Sequence, residues 1–249
     1  MKKLFLMAMV AVSATAFADE VNNEEVLMST QDEPSMMVDD EDNNGGVRIK
    51  MNKDDESSDW TMHFSVGVNI PMDAPDGVDL ATFKSWEFNW TILQYDYTPK
   101  NTKTTLSAGV GLNFRNYGLS GHDKMFGKIH DQVVVGTPSR DIDNLYSSIH
   151  TTGLYIPLLV KQRFSKNFAI SLGGQLNWNY AAHVSNQYET GDDEVDVETN
   201  KIGQRPITVD VLGIFHIWKL GLYCKYSPMS VLKTDRGPEF KSLAVGIYF

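Results

Sequence analysis

From Trp60 to Phe249, apolar and small or polar residues alternate with period two in eight separate runs. Such alternation predicts strands with one apolar face. The runs cover roughly 60–70, 84–98, 103–117, 148–164, 167–184, 204–217, 219–228 and 240–249. In the first, Met62, Phe64, Val66, Val68 and Ile70 oppose Thr61, His63, Ser65, Gly67 and Asn69. In the last, Leu243, Val245, Ile247 and Phe249 oppose Ser242, Ala244, Gly246 and Tyr248. Leu212 and Ile214 blur the second face of the sixth run.

The second faces decide which side points inward. They hold Gly, Ser, Thr, Asn and charge, which cannot form the dry interior of a sandwich. The apolar faces must then point outward to lipid, with the polar faces filling a bore. Most runs also reach the 9–11 residues, approximately, that a tilted membrane strand needs. Connections alternate long, tight, long, tight, long, tight, long. The tight ones lie around Pro99-Lys100-Asn101, Ser165-Lys166-Asn167 and Trp218-Lys219, and the longest runs from Gly118 to Ser147. Together these predict an all-β chain: an eight-stranded antiparallel up-and-down transmembrane β-barrel, with short periplasmic turns and both chain ends on the periplasmic side.

Before Trp60 the character changes. Lys2 and Lys3, the apolar run Leu4–Val12 and Ala16-Phe17-Ala18 predict a signal peptide over 1–18. Residues 19–59 carry 14 Asp/Glu against Arg48, Lys50 and Lys53 and show no apolar period. They predict a disordered acidic periplasmic linker before a barrel domain at 60–249. From Trp60 onward the balance is 18 acidic to 17 basic residues, so the net charge of −10 belongs to the linker. No basic face recommends nucleic acid as a partner. The single cysteine, Cys224, excludes an intramolecular disulfide and cysteine-based zinc sites and reads as a small strand residue.

Aromatic girdles are expected at the two water–lipid boundaries. The outer one would hold Trp86, Phe114, Trp178, Tyr180, Tyr226 and Phe240; the periplasmic one Phe164, Phe168, Trp218 and Phe249. Inward parity places Glu87, Arg115, Lys161, Arg163, Asp210 and Lys225 in the bore. Folding the hairpin about Asn101 sets Glu87 level with Arg115, and Asp210 and Lys225 are near-diagonal across the Trp218 turn. These read as a structural polar network, with Lys161 and Arg163 lacking an obvious partner. An eight-stranded bore is just wide enough for side chains, which argues against a solute channel.

With the strands placed, Tyr155-Ile156-Pro157-Leu158-Leu159-Val160-Lys161-Gln162-Arg163-Phe164 resembles a recurring strand of the outer-membrane β-barrel families of Bacteroidetes, including the PorT-like proteins. Gly246-Ile247-Tyr248-Phe249 is similar to the terminal aromatic signal that barrel-assembly machinery reads, with Phe249 as its last residue. The resemblance spans about 60–249. It implies the fold, the cell outer membrane, and outer-membrane lipid and assembly machinery as partners; secretion-apparatus assembly is one role it suggests.

For function, the sequence predicts a non-enzymatic barrel acting through surface loops or its periplasmic tail on an unknown envelope or surface protein, in envelope organisation, adhesion or secretion. No catalytic, cofactor or metal residue is assigned. The alternatives are a surface hydrolase using His122, His130, His150, Asp141 and Asp143, and a soluble periplasmic barrel carrying a small lipid. His63 and His183 have no evident catalytic partner, and the acidic run Asp192–Glu198 lacks the spacing of a calcium loop.

Overall fold

The computed structural model describes residues 48–53, 56–138, 142–191 and 193–249. The expected signal peptide and most of the acidic linker lie outside these residues, as do Asp141 and Asp192. Twelve strands follow in chain order: β1 (Arg48–Lys53), β2 (Glu56–Met72), β3 (Trp86–Thr98), β4 (Thr104–Gly118), β5 (Met125–Ile129), β6 (Gln132–Gly136), β7 (Asp143–Ser165), β8 (Phe168–Thr190), β9 (Asp193–Asn200), β10 (Ile207–Ile217), β11 (Leu220–Ser227) and β12 (Lys241–Tyr248).

Eight of them close a ring in the order β2-β12-β11-β10-β8-β7-β4-β3, with β3 returning to β2 and every pairing antiparallel. These are the eight strands that the alternation predicts. The ring is closed between β12 and β2 in the register Val245↔Val68, and Phe249 and Phe64 exchange backbone hydrogen bonds of 2.8 and 3.1 Å. Up-and-down connectivity leaves a turn end, which also holds the start of β2 and the end of β12, and a loop end.

Sidedness is inverted relative to a water-soluble protein. Val66, Leu172 and Ile247 are 45%, 61% and 43% exposed on the outer wall, whereas Glu87, Arg115, Asp210 and Lys225 are at most 5% exposed. This is the distribution of a transmembrane barrel, whose outside is solvated by hydrocarbon. Two irregularities preserve it. At Ile92–Leu93 both side chains face out, and the ladder shifts register there on both sides of β3, so one extra residue lets Gln94 turn back into the bore. In β7, Ile156 and Pro157 fall where the β4–β7 ladder is interrupted, between Ala108↔Leu158 and Gly111↔Tyr155, so the missing proline N–H costs no bond to β4.

Several features depart from expectation. Residues 48–53 and 56–59, read as linker, are strand: β1 pairs with the first residues of β2 from Lys53↔Glu56 to Arg48↔Thr61. The segment has too little apolar alternation to be read alone; it is held by a sheet edge that the rest of the chain provides. The long loops contain three further strands. β5 and β6 form a hairpin, and β9 pairs with the upper part of β8. β7 and β8, at 23 residues each, run on past the barrel wall.

Side chains fill the bore. Leu159, Leu212, Ile214, Tyr223 and Ala244 form an apolar cluster inside it, which explains why the sixth run looked blurred. The rings of Tyr155 and Tyr223 lie against Gly111 and against Gly67 and Gly246. A Cβ at Gly111 would stand 2.7 Å from the Tyr155 ring. Gly111→Val is therefore expected to cost at least the ~1–3 kcal/mol of an overpacked core. The check is the denaturant midpoint of the refolded barrel, with Gly136→Ala, at the end of β6, as a comparison where no atom is crowded.

Candidate functional site

Two parts of the molecule concentrate polar chemistry: the bore and the assembly of loops above it. At one level of the bore, β3, β4, β10 and β11 each hold one charged side chain inward by strand parity. Arg115 Nη2 donates to Asp210 Oδ2 at 2.6 Å, and Lys225 Nζ lies 2.8 Å from Glu87 Oε1. Arg115 Nε is 3.9 Å from Glu87 Oε2, which links the two pairs. The sequence correctly sets Glu87 opposite Arg115, and they are Cα partners. The tighter pairings, however, cross the bore to non-adjacent strands, because four charges at one level minimise their energy by alternating sign around the ring.

Neutral groups complete the network. Asn177 Nδ2 donates to Asp210 Oδ2 at 2.8 Å, and Asn113 Nδ2 to Asn177 Oδ1 at 2.9 Å. Tyr223 Oη donates to Glu87 Oε1 at 2.9 Å, and Asn89 Nδ2 to the same oxygen at 3.2 Å. Their parity shows in the sequence; their role does not, because an inward Asn or Tyr is recognisable only once its cross-bore partner is known. Lys161 and Arg163, assigned to the same network by parity, lie nearer the turn end of β7, Lys161 half-buried opposite buried Ser171 and Arg163 exposed.

Little open space lies among the side chains of the bore at this level. Its internal cavity, between the charged quartet and the Tyr248 ring, has a volume of about 20 Å³. That accommodates roughly one water. Below it, His216 Nε2 and Ser171 Oγ are 2.8 Å apart, and the rings of His63 and Tyr248 stack at 4.9 Å.

Above the bore the four long connections form an ordered head. Its apolar centre is Tyr117, Leu119, Phe126, Val133, Ile149, Ala182, Val184, Ile202, Leu232 and Phe240, with Ala74, Val78 and Leu80 packed against it. Each connection supplies part of it. Phe240, expected in the outer girdle, is buried here with its ring 5.1 Å from that of Tyr117. The other expected girdle residues face outward: Trp86, Trp178, Tyr180, Phe164, Phe168, Trp218 and Phe249 are exposed, and Phe114 and Tyr226 are half-buried on the wall.

The β5–β6 hairpin is clamped by two buried side chains: Ser147 Oγ accepts from Phe126 N at 2.8 Å, and Asn186 Nδ2 donates to Phe126 O at 2.9 Å. Bridges Leu80↔Leu119 and Gln204↔Leu232 join neighbouring connections. At the hairpin tip Lys128 lies 2.9 Å from Asp131 and holds that carboxyl below its usual range. Arg236 lies 3.7 Å away on the last connection.

The histidines proposed for hydrolysis do not converge. His122 Nδ1 is 2.8 Å from Leu145 O, His130 occupies the hairpin-tip turn at φ 47°, and His150 stacks on His183 at 4.9 Å. Asp143 stands exposed at the start of β7, and Asn144 beside it bonds to Glu189. A nucleophile and base at one level are what this chemistry requires, and the described residues of this set do not supply them.

No family model and no curated protein matches the chain. Among solved structures it is similar to the crystal structure of Ail, the attachment invasion locus protein of Yersinia pestis, at 13% identity and a TM-score of 0.33, over 79% of this chain and 100% of that one. So distant a likeness adds nothing to the geometry described above.

Breaking one member of a buried ion pair leaves the other charged and unpaired, at about 3–5 kcal/mol. Asp210→Ala is expected to destabilise the barrel by about that amount. Arg115→Met with Asp210→Leu should recover most of the loss, because the stranded charge is gone. Chemical denaturation of the folded barrel in detergent measures both.

Proposed function

We propose that this chain is a non-enzymatic β-barrel of a bacterial outer membrane, and that it works by presenting its loop-end head to a protein at the cell surface or within the envelope. The observation that carries this reading is the pairing of an apolar outer wall with a bore filled by paired, buried charges. Such a body anchors, and it neither transports nor encloses a ligand. What varies along the chain, and what the barrel holds rigid, is the head.

The head suits recognition. An apolar centre shared by all four connections fixes their relative positions, so little ordering entropy is lost when a partner binds. β7 and β8 extend the wall into a projecting sheet that ends in β9. Among the described residues β9 pairs only with β8, and it carries Asp193, Glu194, Asp196 and Glu198. An exposed strand edge offers backbone groups to an extended partner, and like charge along it opposes self-association. Adhesion, envelope organisation and a role in a secretion apparatus are all uses of such a surface. The turn end, with both ends of the barrel, is assigned to the periplasm.

Two experiments test this. An epitope tag between His130 and Asp131 is expected to be accessible to antibody on intact cells, and one at Asn101 only after permeabilisation. The reverse pattern, or recovery of the protein in the soluble fraction, overturns the placement. Replacing 122–138 by a short linker should abolish crosslinks to the surface or envelope partner, while the barrel keeps its heat-modifiable mobility on gels. Unchanged crosslinks would remove the head from the function.

A further inference from the structure

The turn end carries a feature that neither the plugged bore nor the head accounts for. The tight turns after β7 and after β10 are tied together: Trp218 N donates to Asn167 O at 3.0 Å, and Phe168 and Ile217 are Cα partners. This joins the turns that carry Lys166 and Lys219 to the rings of Phe164, Phe168 and Trp218 on the rim, with Arg163 at the end of β7 on the bore side, opposite Ala169. All six are exposed. The rings of Phe164 and Phe168 lie 5.7 Å apart, and Trp218 is 66% exposed. Trp218 has φ 55°, a conformation that bulky residues seldom adopt. Strained backbone of this kind is retained where the surroundings impose it, and here it sets a large ring at the lower edge of the apolar wall.

We propose that this patch binds the headgroup of an anionic glycerophospholipid in the leaflet on the turn side. The inference rests on the membrane placement proposed above. The rings continue the apolar belt and so mark the edge of the hydrocarbon, where aromatic residues lie at headgroup depth. Lys166 and Lys219 stand in the two turns directly below them, which puts positive charge at the level of the lipid phosphates and not in bulk water. Clustered Lys and Arg at that level attract anionic lipid over zwitterionic lipid. One lysine from each turn, with Arg163 behind them on the rim, favours a headgroup with two phosphates over one with a single phosphate. An acidic protein segment would need the cations but would leave the three rings unused, so lipid fits the patch better.

The test uses the full chain folded in detergent micelles and titrated with phosphatidylcholine, phosphatidylglycerol or cardiolipin, with retained lipid counted by native mass spectrometry. Retention is expected in the order cardiolipin, phosphatidylglycerol, phosphatidylcholine, with roughly tenfold or more between the first and last. Arg163→Gln, Lys166→Gln and Lys219→Gln combined should bring cardiolipin to about the phosphatidylcholine level. The same three neutralisations at Lys124, Lys128 and Lys233 in the head should change nothing. Excess inorganic phosphate should displace little lipid; complete displacement would make this a phosphate site without lipid recognition and overturn the proposal. Equal retention by the rim variant and the wild type overturns it too. If the wild type folds but shows no preference among lipids, this inference alone falls; if it cannot be folded into micelles or bilayers at all, the membrane reading falls with it.

Discussion

Everything in this molecule depends on keeping charge inside a wall whose outside must be greasy. Every strand alternates, so an apolar outer face forces a polar inner face of nearly equal area. That polar face is tolerable only if its members satisfy one another, because water has almost no room between them. Arg115–Asp210 and Lys225–Glu87 are the centre of that solution, and Asn177, Asn89 and Tyr223 add hydrogen bonds to the two carboxylates, while Glu87 Oε2, Asp210 Oδ1 and Arg115 Nε are buried without one. A buried ion pair is weak evidence of stability by itself. Its value here is geometric: the four charges come from four strands of the ring, and the pairs form only when those strands stand in one register. The network thus discriminates against slipped closures, in which every side chain would face the wrong way.

The same constraint shapes the details of the wall. Glycine appears where a tyrosine must lie flat across the bore, as at Gly67, Gly111 and Gly246. The extra residue at Ile92–Leu93 and the interrupted ladder at Pro157 are placed so that parity is restored before the next inward position. Rigidity below also permits order above. Tyr117 and Ile149 on the walls provide a floor on which four connections collapse around Phe126, Val133, Leu232 and Phe240. The head is therefore a second, conventional core, apolar inside and polar outside, standing on an inverted one.

Charge is distributed unequally between the two ends. The projecting strand β9 is acidic, whereas the rim around Trp218 and Lys166 is basic and aromatic. A barrel with a closed bore has two surfaces with which to act, and these differ in chemistry as well as in shape. The first is the surface proposed for a macromolecular partner and the second the one proposed for lipid.

The alternation alone determined the eight ring strands, their faces and the long–short rhythm of the connections, because side-chain parity in a strand is a local property with period two. It also identified Glu87, Arg115, Asp210 and Lys225 as inward. For Lys161 and Arg163, parity says which way a residue points but not how deeply it is buried, and the two are half-buried and exposed near the turn end. It read residues 48–59 and the long connections as irregular, and it put Phe240 in a girdle. Those elements have no strong period of their own: β1, β5, β6 and β9 are held by edges and apolar surfaces contributed from elsewhere in the chain. Which charge meets which across the bore, and which loops share a core, are matters of distance between residues far apart in sequence, and only closure of the ring decides them.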